Sequence, residues 1–235
     1  MSLAASAISI PRPFAHEEGI HFHGPAGRIE GIVSVPQAEK AAGAVAVVCH
    51  PHPLHGGSYN NKVTHTLART LCKLGALTIR FNFRGVGDSA GQYDHGIGET
   101  QDLLAVIRAV RAEYPGREIW LAGFSFGAYI ALHAAQYTEV DRLITIAPPV
   151  NIFRLAEMVA PACPWLLVQG KQDQLVPYQE VLRWATRIYP APETVYLDDA
   201  CHYFHGKLAA LQTIITGAVA ESRGRCVYAD EAVSP

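Results

Sequence analysis

Residues 118–137 read EIWLAGFSFGAYIALHAAQY, and the organisation of the whole chain follows from how this stretch is parsed. It opens on a short β-prone run, EIWLA, and closes on a helix-prone one, AYIALHAAQY. Between them Gly123-Phe124-Ser125-Phe126-Gly127 has the spacing G-x-S-x-G. A strand that turns sharply into a helix around a serine needs residues without bulk two places before and after it, and glycine stands at both. A helix starting there aims its free N–H groups and the positive end of its dipole at any anion beside the serine. Ser125 is therefore the candidate nucleophile; the plain alternative is a tight turn that happens to hold a serine. A second match, Gly87-Asp88-Ser89-Ala90-Gly91, is followed by QYDHG, which reads as loop rather than helix. Ser89 is expected to be structural.

Outward from this stretch the strand–helix alternation repeats. The continuous run AVAVVC at 44–49 suits a parallel strand covered on both faces. Further strands are expected over 77–83, 118–121, 143–146, 165–168 and 194–197, and helices over 62–73, 99–114, 128–137, 179–188 and 207–220. Within 102–110 the apolar positions 103, 106, 107 and 110 recur at the helical period. Upstream, extended runs at 19–23 and 28–35 flank GPAG, a turn signal for an antiparallel hairpin at the sheet edge. The alternation implies right-handed crossovers and a doubly wound, mostly parallel sheet. Sites in such sheets lie at the carboxyl ends of the strands. No repeat or low-complexity linker divides the chain. The expectation is one domain over 1–235, with 1–16 a loose arm and 223–235 a tail.

Two more strand ends carry the partners of the serine. Asp173 lies in GKQDQLVP, directly after the run WLLVQ, and His202 lies in ACHYF, after TVYLDD. A serine hydroxyl is a weak nucleophile until an imidazole takes its proton, and a carboxylate then holds that imidazole in the right tautomer. Ser125, Asp173 and His202 fill each role once, in the chain order serine, acid, histidine. Asp173 has a plain alternative as a turn-forming residue. Asp198 and Asp199 are rival acids within the histidine's own loop, and His205 is the rival base, expected instead to open the last helix.

An oxyanion formed at this serine needs two donors. One is the backbone N–H of Phe126; the other is expected from the loop after AVAVVC, His50-Pro51-His52-Pro53-Leu54-His55-Gly56-Gly57. The prolines cannot donate, which leaves His52, with Leu54 as the alternative. The same loop has the spacing HxHxxH. This resembles the HxHxDH of the metallo-β-lactamase family, with Leu54 in the place of the aspartate, so a zinc hydrolase using His50, His52 and His55 is the rival chemistry.

Taken in order, HPHPLHGGSYNNKV, RFNFRGVGDSAGQYDHGIGE, GFSFGAY, GKQDQLVP and CHYF resemble a bacterial family of small, lidless α/β-hydrolases. That family is related more loosely to dienelactone hydrolases and acyl-peptide-processing enzymes. The resemblance runs from about residue 19 to about residue 220. It implies the α/β-hydrolase fold, a serine triad at Ser125, Asp173 and His202, and an esterase-like activity. Dienelactone hydrolases place a cysteine where this chain has Ser125. Apart from any resemblance, only 150–164 separates LITIAPP from WLLVQ. That is too little for a cap domain, with room for at most one short helix near 154–159.

Composition bounds the rest. Of 235 residues, 49% are apolar and 17% charged, which suits a globular protein. A net charge of −2 calls for no nucleic-acid or anionic-membrane partner. No apolar run reaches the roughly 18–20 residues of a membrane span. The start of the chain lacks the basic region of a secretory signal, and five cysteines, an odd number without a CxxC pair, suit reduced thiols. The cytoplasm is the expected compartment. The function these readings define is serine-dependent hydrolysis of small carboxylic esters, or of thioesters or amides, through an acyl-enzyme, with no cofactor and a small acyl substrate. A non-catalytic binding protein on the same fold is the second alternative. The triad alone does not separate hydrolysis from acyl transfer, and no oligomeric state follows from the sequence.

Overall fold

The structure, a computed structural model, describes residues 16–37, 43–153, 155 and 158–229, with side chains to residue 221. Eight strands form one sheet: β1 His16–Gly24, β2 Gly27–Val35, β3 Ala44–Cys49, β4 Leu77–Phe81, β5 Glu118–Phe124, β6 Arg142–Ile146, β7 Trp165–Gly170 and β8 Glu193–Leu197. Their order in the sheet is β1-β2-β4-β3-β5-β6-β7-β8. The hairpin β1–β2 and the β2–β4 pair are antiparallel, and every later pair is parallel. The five helices are α1 Lys62–Lys73, α2 Ile97–Glu113, α3 Phe126–Ala134, α4 Tyr178–Ala185 and α5 Leu208–Ala229.

The apolar run of β3 is continuous because both of its faces are covered. Val45, Val47 and Cys49 enter one core with Leu103, Val106 and Ile107 of α2 and Ile130 of α3. Ala44, Ala46 and Val48 enter the opposite core with Leu67 and Leu71 of α1 and Leu211 and Ile215 of α5. Alternate side chains of a strand point to opposite faces, so one six-residue strand feeds two cores. After the hairpin β1–β2 the chain runs through β3 and β4, then crosses back past β3 to β5. At that reversal the loops after β3 and β5 diverge and leave a crevice at the strands' carboxyl ends.

The sequence reading needs correction at its edges. β4 stops at Phe81, two residues short of the expected end: Asn82 N–H still donates to Glu30 O of β2, but Phe83 bonds outside the sheet. Asn82 accepts from Tyr59 N–H and donates to Glu30, while Phe83 N–H donates to the ring of His50. α3 begins at Phe126, two residues early, directly on the turn at Ser125. α5 continues to Ala229, through the first part of the tail expected from residue 223. Its ESRGRC segment is mostly residues that a helix tolerates well, one glycine aside. β1 already includes His16, paired with Val35; the rest of the expected arm lies outside the described residues. So does half of the short helix expected near 154–159, where Leu155, Met158 and Val159 are described and are not helical.

Candidate active site

Ser125 sits between β5 and α3 with φ 53° and ψ −119°, a left-handed φ that a side chain rarely adopts. The turn is held from several sides. Ser125 N–H donates to Ile146 O at 2.8 Å, and its carbonyl accepts from Ala128 and Tyr129. Gly123 and Gly127 are required for space: a Cβ on the first would strike the backbone of Gly127, and one on the second the carbonyl of Cys49. The hydroxyl is thereby lifted out of the sheet plane at the mouth of the crevice.

His202 Nε2 lies 3.0 Å from Ser125 Oγ, and His202 Nδ1 lies 2.7 Å from Asp173 Oδ2. The histidine is 6% exposed and the aspartate 5%. With the carboxylate on Nδ1, the ring proton belongs on that nitrogen, and the Nε2 lone pair faces the serine hydroxyl. The faces of the ring are set by Phe124, at 5.1 Å between centroids, and by Tyr203, edge-on at 5.2 Å.

Asp173 combines the two roles that the sequence left as alternatives. Its Oδ1 accepts from Leu175 N–H at 2.9 Å and Val176 N–H at 2.8 Å, which is the turn role. Its Oδ2 takes both His202 and Gln169 Nε2, the latter at 3.0 Å. Four hydrogen bonds hold the carboxylate in place. Gln169, fully buried at the end of β7, was missed by sequence reasoning. Its amide also donates to the carbonyls of Gly170 and Val176. A buried polar residue in the apolar run WLLVQ was the available signal.

The rivals go elsewhere. Asp198 and Asp199 pair with Lys171 and Lys207, and the His205 ring meets Cys201 Sγ at 3.7 Å. Ser89 is buried; its hydroxyl donates to Asn82 O at 2.8 Å and accepts from Glu30 N–H at 3.1 Å.

The three histidines of the loop after β3 have separate tasks. His50 is wholly buried: its Nδ1–H donates to Pro51 O at 2.6 Å, and its Nε2 accepts from Phe83 N–H at 3.0 Å. Burial holds this imidazole neutral, its pKa lowered to about 3. His52 accepts from Leu54 N–H through Nδ1 at 3.2 Å and meets Tyr93 Oη through Nε2 at 3.1 Å. Its pKa is lowered by burial first and then by His55 and His95. With both nitrogens of His50 and of His52 engaged, only His55 could turn toward a cation. Among the described residues no three His, Cys, Asp or Glu side chains converge on a metal-sized point. Of the two loop donors expected, Leu54 N–H is bonded to His52 Nδ1.

Around Ser125 lies a cleft of ≈ 410 Å³. On the β3 side its wall is His52, His55 and Asn61; on the β6 and β7 side it is Ile152, Phe153, Leu175 and Val176. Residues 147–164, between β6 and β7, carry no helix among those described.

A doubly wound sheet with a serine on its central strand-to-helix turn, uncapped, defines a lidless α/β serine hydrolase, and comparison with known proteins agrees. A family model described as serine aminopeptidase, S33, matches residues 42–163, and the chain belongs to that family. A lidless α/β serine hydrolase from Xanthomonas campestris is 40% identical with TM-score 0.85, covering 89% of this chain and 97% of that one. An α/β serine hydrolase homologue from Coxiella burnetii is 45% identical with TM-score 0.82, covering 85% and 95%. An uncharacterized protein of Rickettsia prowazekii (strain Madrid E) is 35% identical over 198 residues, 80% of this chain and 82% of that protein. Among the described residues no helix is long and apolar enough to cross a membrane.

Proposed function

We propose that this hydrolase cleaves carboxylic esters through an acyl-enzyme on Ser125, with His202 as base and Asp173 as its orienting acid. The observation that carries the reading is the unbroken relay Ser125 Oγ, His202 Nε2, His202 Nδ1, Asp173 Oδ2, with links of 3.0 and 2.7 Å. Ser125 Oγ attacks the ester carbonyl as its proton passes to His202 Nε2. The carbonyl oxygen becomes an oxyanion, received by the N–H of Phe126 and of His52. Phe126 opens α3, so its N–H has no carbonyl of a preceding turn to bond. Collapse breaks the bond to the alcohol, which leaves with the proton from His202. Water then gives its proton to His202, attacks the acyl-enzyme and releases the acid, restoring Ser125 Oγ–H.

The open cleft admits water to the acyl-enzyme, which favours hydrolysis over acyl transfer. The cytoplasm is our reading of its compartment, supported by four unpaired cysteines among the described residues. The test is the intact mass of the protein after a fluorophosphonate, beside a Ser125→Ala variant and a chelated sample. A single adduct that survives chelation and vanishes in the variant is expected. An unmodified wild-type protein overturns the triad, and an adduct abolished by chelator returns the histidine loop to the centre.

A further inference from the structure

Among the described residues that line the cleft, no side chain carries a negative charge to pair with a charged amine: no Asp, Glu, Lys or Arg is among them. The nearest carboxylate in the bonding chain, Asp173, stands behind His202 with both oxygens spent. On the β3 side two side-chain acceptors, those of Asn61 and His52, are spent too. Asn61 Oδ1 caps α1 by accepting from Val63 N–H at 2.9 Å and Thr64 N–H at 3.3 Å, so the amide turns only its NH₂ donors to other partners. His52 has both ring nitrogens engaged, and His55, neutral or protonated, brings no negative charge. The opposite wall, from Ile152 to Val176, is apolar. An enzyme that selects a free amino terminus needs the reverse arrangement, a carboxylate or a ring of acceptors within reach of the ammonium.

We propose that the acyl half of the substrate is uncharged and apolar, seated against Phe126, Phe153, Ile152 and Val176, and that the chain departs from the aminopeptidase activity for which its family is described. The donors of the β3 wall then face the ester oxygens, which are acceptors. This deepens the reading of Ser125 as an esterase nucleophile and rests on it.

The isobutyryl and alanyl groups differ only by CH₃ for NH₃⁺, and this swap isolates the charge. The experiment compares p-nitrophenyl isobutyrate with the p-nitrophenyl ester of alanine. It is run at pH 6, below the roughly 7.7–8.0 at which an α-amino group ordinarily titrates. Each kcat/KM is divided by that ester's own hydroxide-catalysed rate. The wild type is expected to favour isobutyrate by about 10²-fold. Ile152→Glu, at a residue 65% exposed and so tolerant of substitution, is expected to shrink that preference at least about tenfold by supplying the missing carboxylate. Ser125 labelling by the fluorophosphonate is read on the same samples. If Ser125 labels but the alanine ester is cleaved as well as isobutyrate, or neither is cleaved, the substrate proposal falls and the nucleophile stands. If Ser125 does not label, both fall together.

Discussion

The chain contains two G-x-S-x-G loops, at 87–91 and 123–127, and they solve opposite problems. In the first, glycines 87 and 91 have φ +56° and +89°, and a Cβ on Gly87 would also strike the Glu30 side chain, so they serve backbone conformation as well as space. The serine there has no positive φ and turns inward. Ser89 bonds Asn82 O and Glu30 N–H and ties the loop to β2. In the second, glycines 123 and 127 are there for space, and the serine takes the left-handed conformation itself. That distribution of strain exposes Oγ to an imidazole. The same five-letter pattern thus yields a peg in one place and a hydroxyl 3.0 Å from an imidazole in the other. What separates them is the secondary structure on either side and the residue that absorbs the unusual φ.

The sharpest way to break this comparison is to remove each hydroxyl in turn. Ser125→Ala is expected to lower kcat for an activated ester by about 10⁴–10⁶ with the melting temperature not reduced, while Ser89→Ala leaves turnover within a few-fold. A fall in turnover at Ser89 of the size seen at Ser125 would undo the assignment. Asp173→Asn should cost about 10⁴ in kcat, because the amide favours the wrong imidazole tautomer, and the rate of fluorophosphonate labelling should fall in parallel. Ser89→Ala has its own signature in stability. It orphans a buried N–H and a buried carbonyl, a loss of about 1–3 kcal/mol and, at this size, about 2–4 °C in Tm for each kcal/mol.

The smallest effect concerns the residue that joins the two regions. His50 belongs to the loop beside Ser125, and it bonds Phe83, the residue from which the Ser89 loop departs. Its imidazole is held at about 3 in the folded chain against an ordinary 6.5. Below pH 6.5 the unfolded chain therefore takes up a proton that the folded chain refuses. The contribution is whole above pH 6.5 and is lost progressively as pH falls toward 3. Tm measured at pH 7 and pH 4.5 is expected to fall further in the wild type than in His50→Gln, even though the variant starts lower. Equal falls would show that His50 titrates freely.

Much of this was legible in the sequence because periodicity and punctuation were strong where the sheet is most buried. β3 and α1 fall where AVAVVC and the 62–73 period put them, since local pattern and tertiary burial agree there. Ser125, Asp173 and His202 were legible because each follows a strand and the fold brings strand ends together. Gln169 and the structural task of His50 were not. The Asp173 carboxylate that Gln169 bonds is shaped by its own loop, and the Phe83 N–H that donates to His50 comes near only after the chain has folded. The end of β4 was missed for a related reason: LTIRFNF continues to alternate like a strand, but the partners of Asn82 and Phe83 lie at residues 30, 50 and 59.

Ser125 is one of four non-glycine residues with positive φ among those described, the others being His95, Ala147 and Phe204. Such conformations cost on the order of 1–3 kcal/mol each, and glycine would hold them almost free of charge. A variant library screened for heat resistance alone is therefore expected to drift toward Ser125→Gly, a sturdier protein without the proposed nucleophile. Selection for endurance and selection for turnover pull this position in opposite directions, and any effort to toughen the enzyme has to leave its most uncomfortable residue as it is.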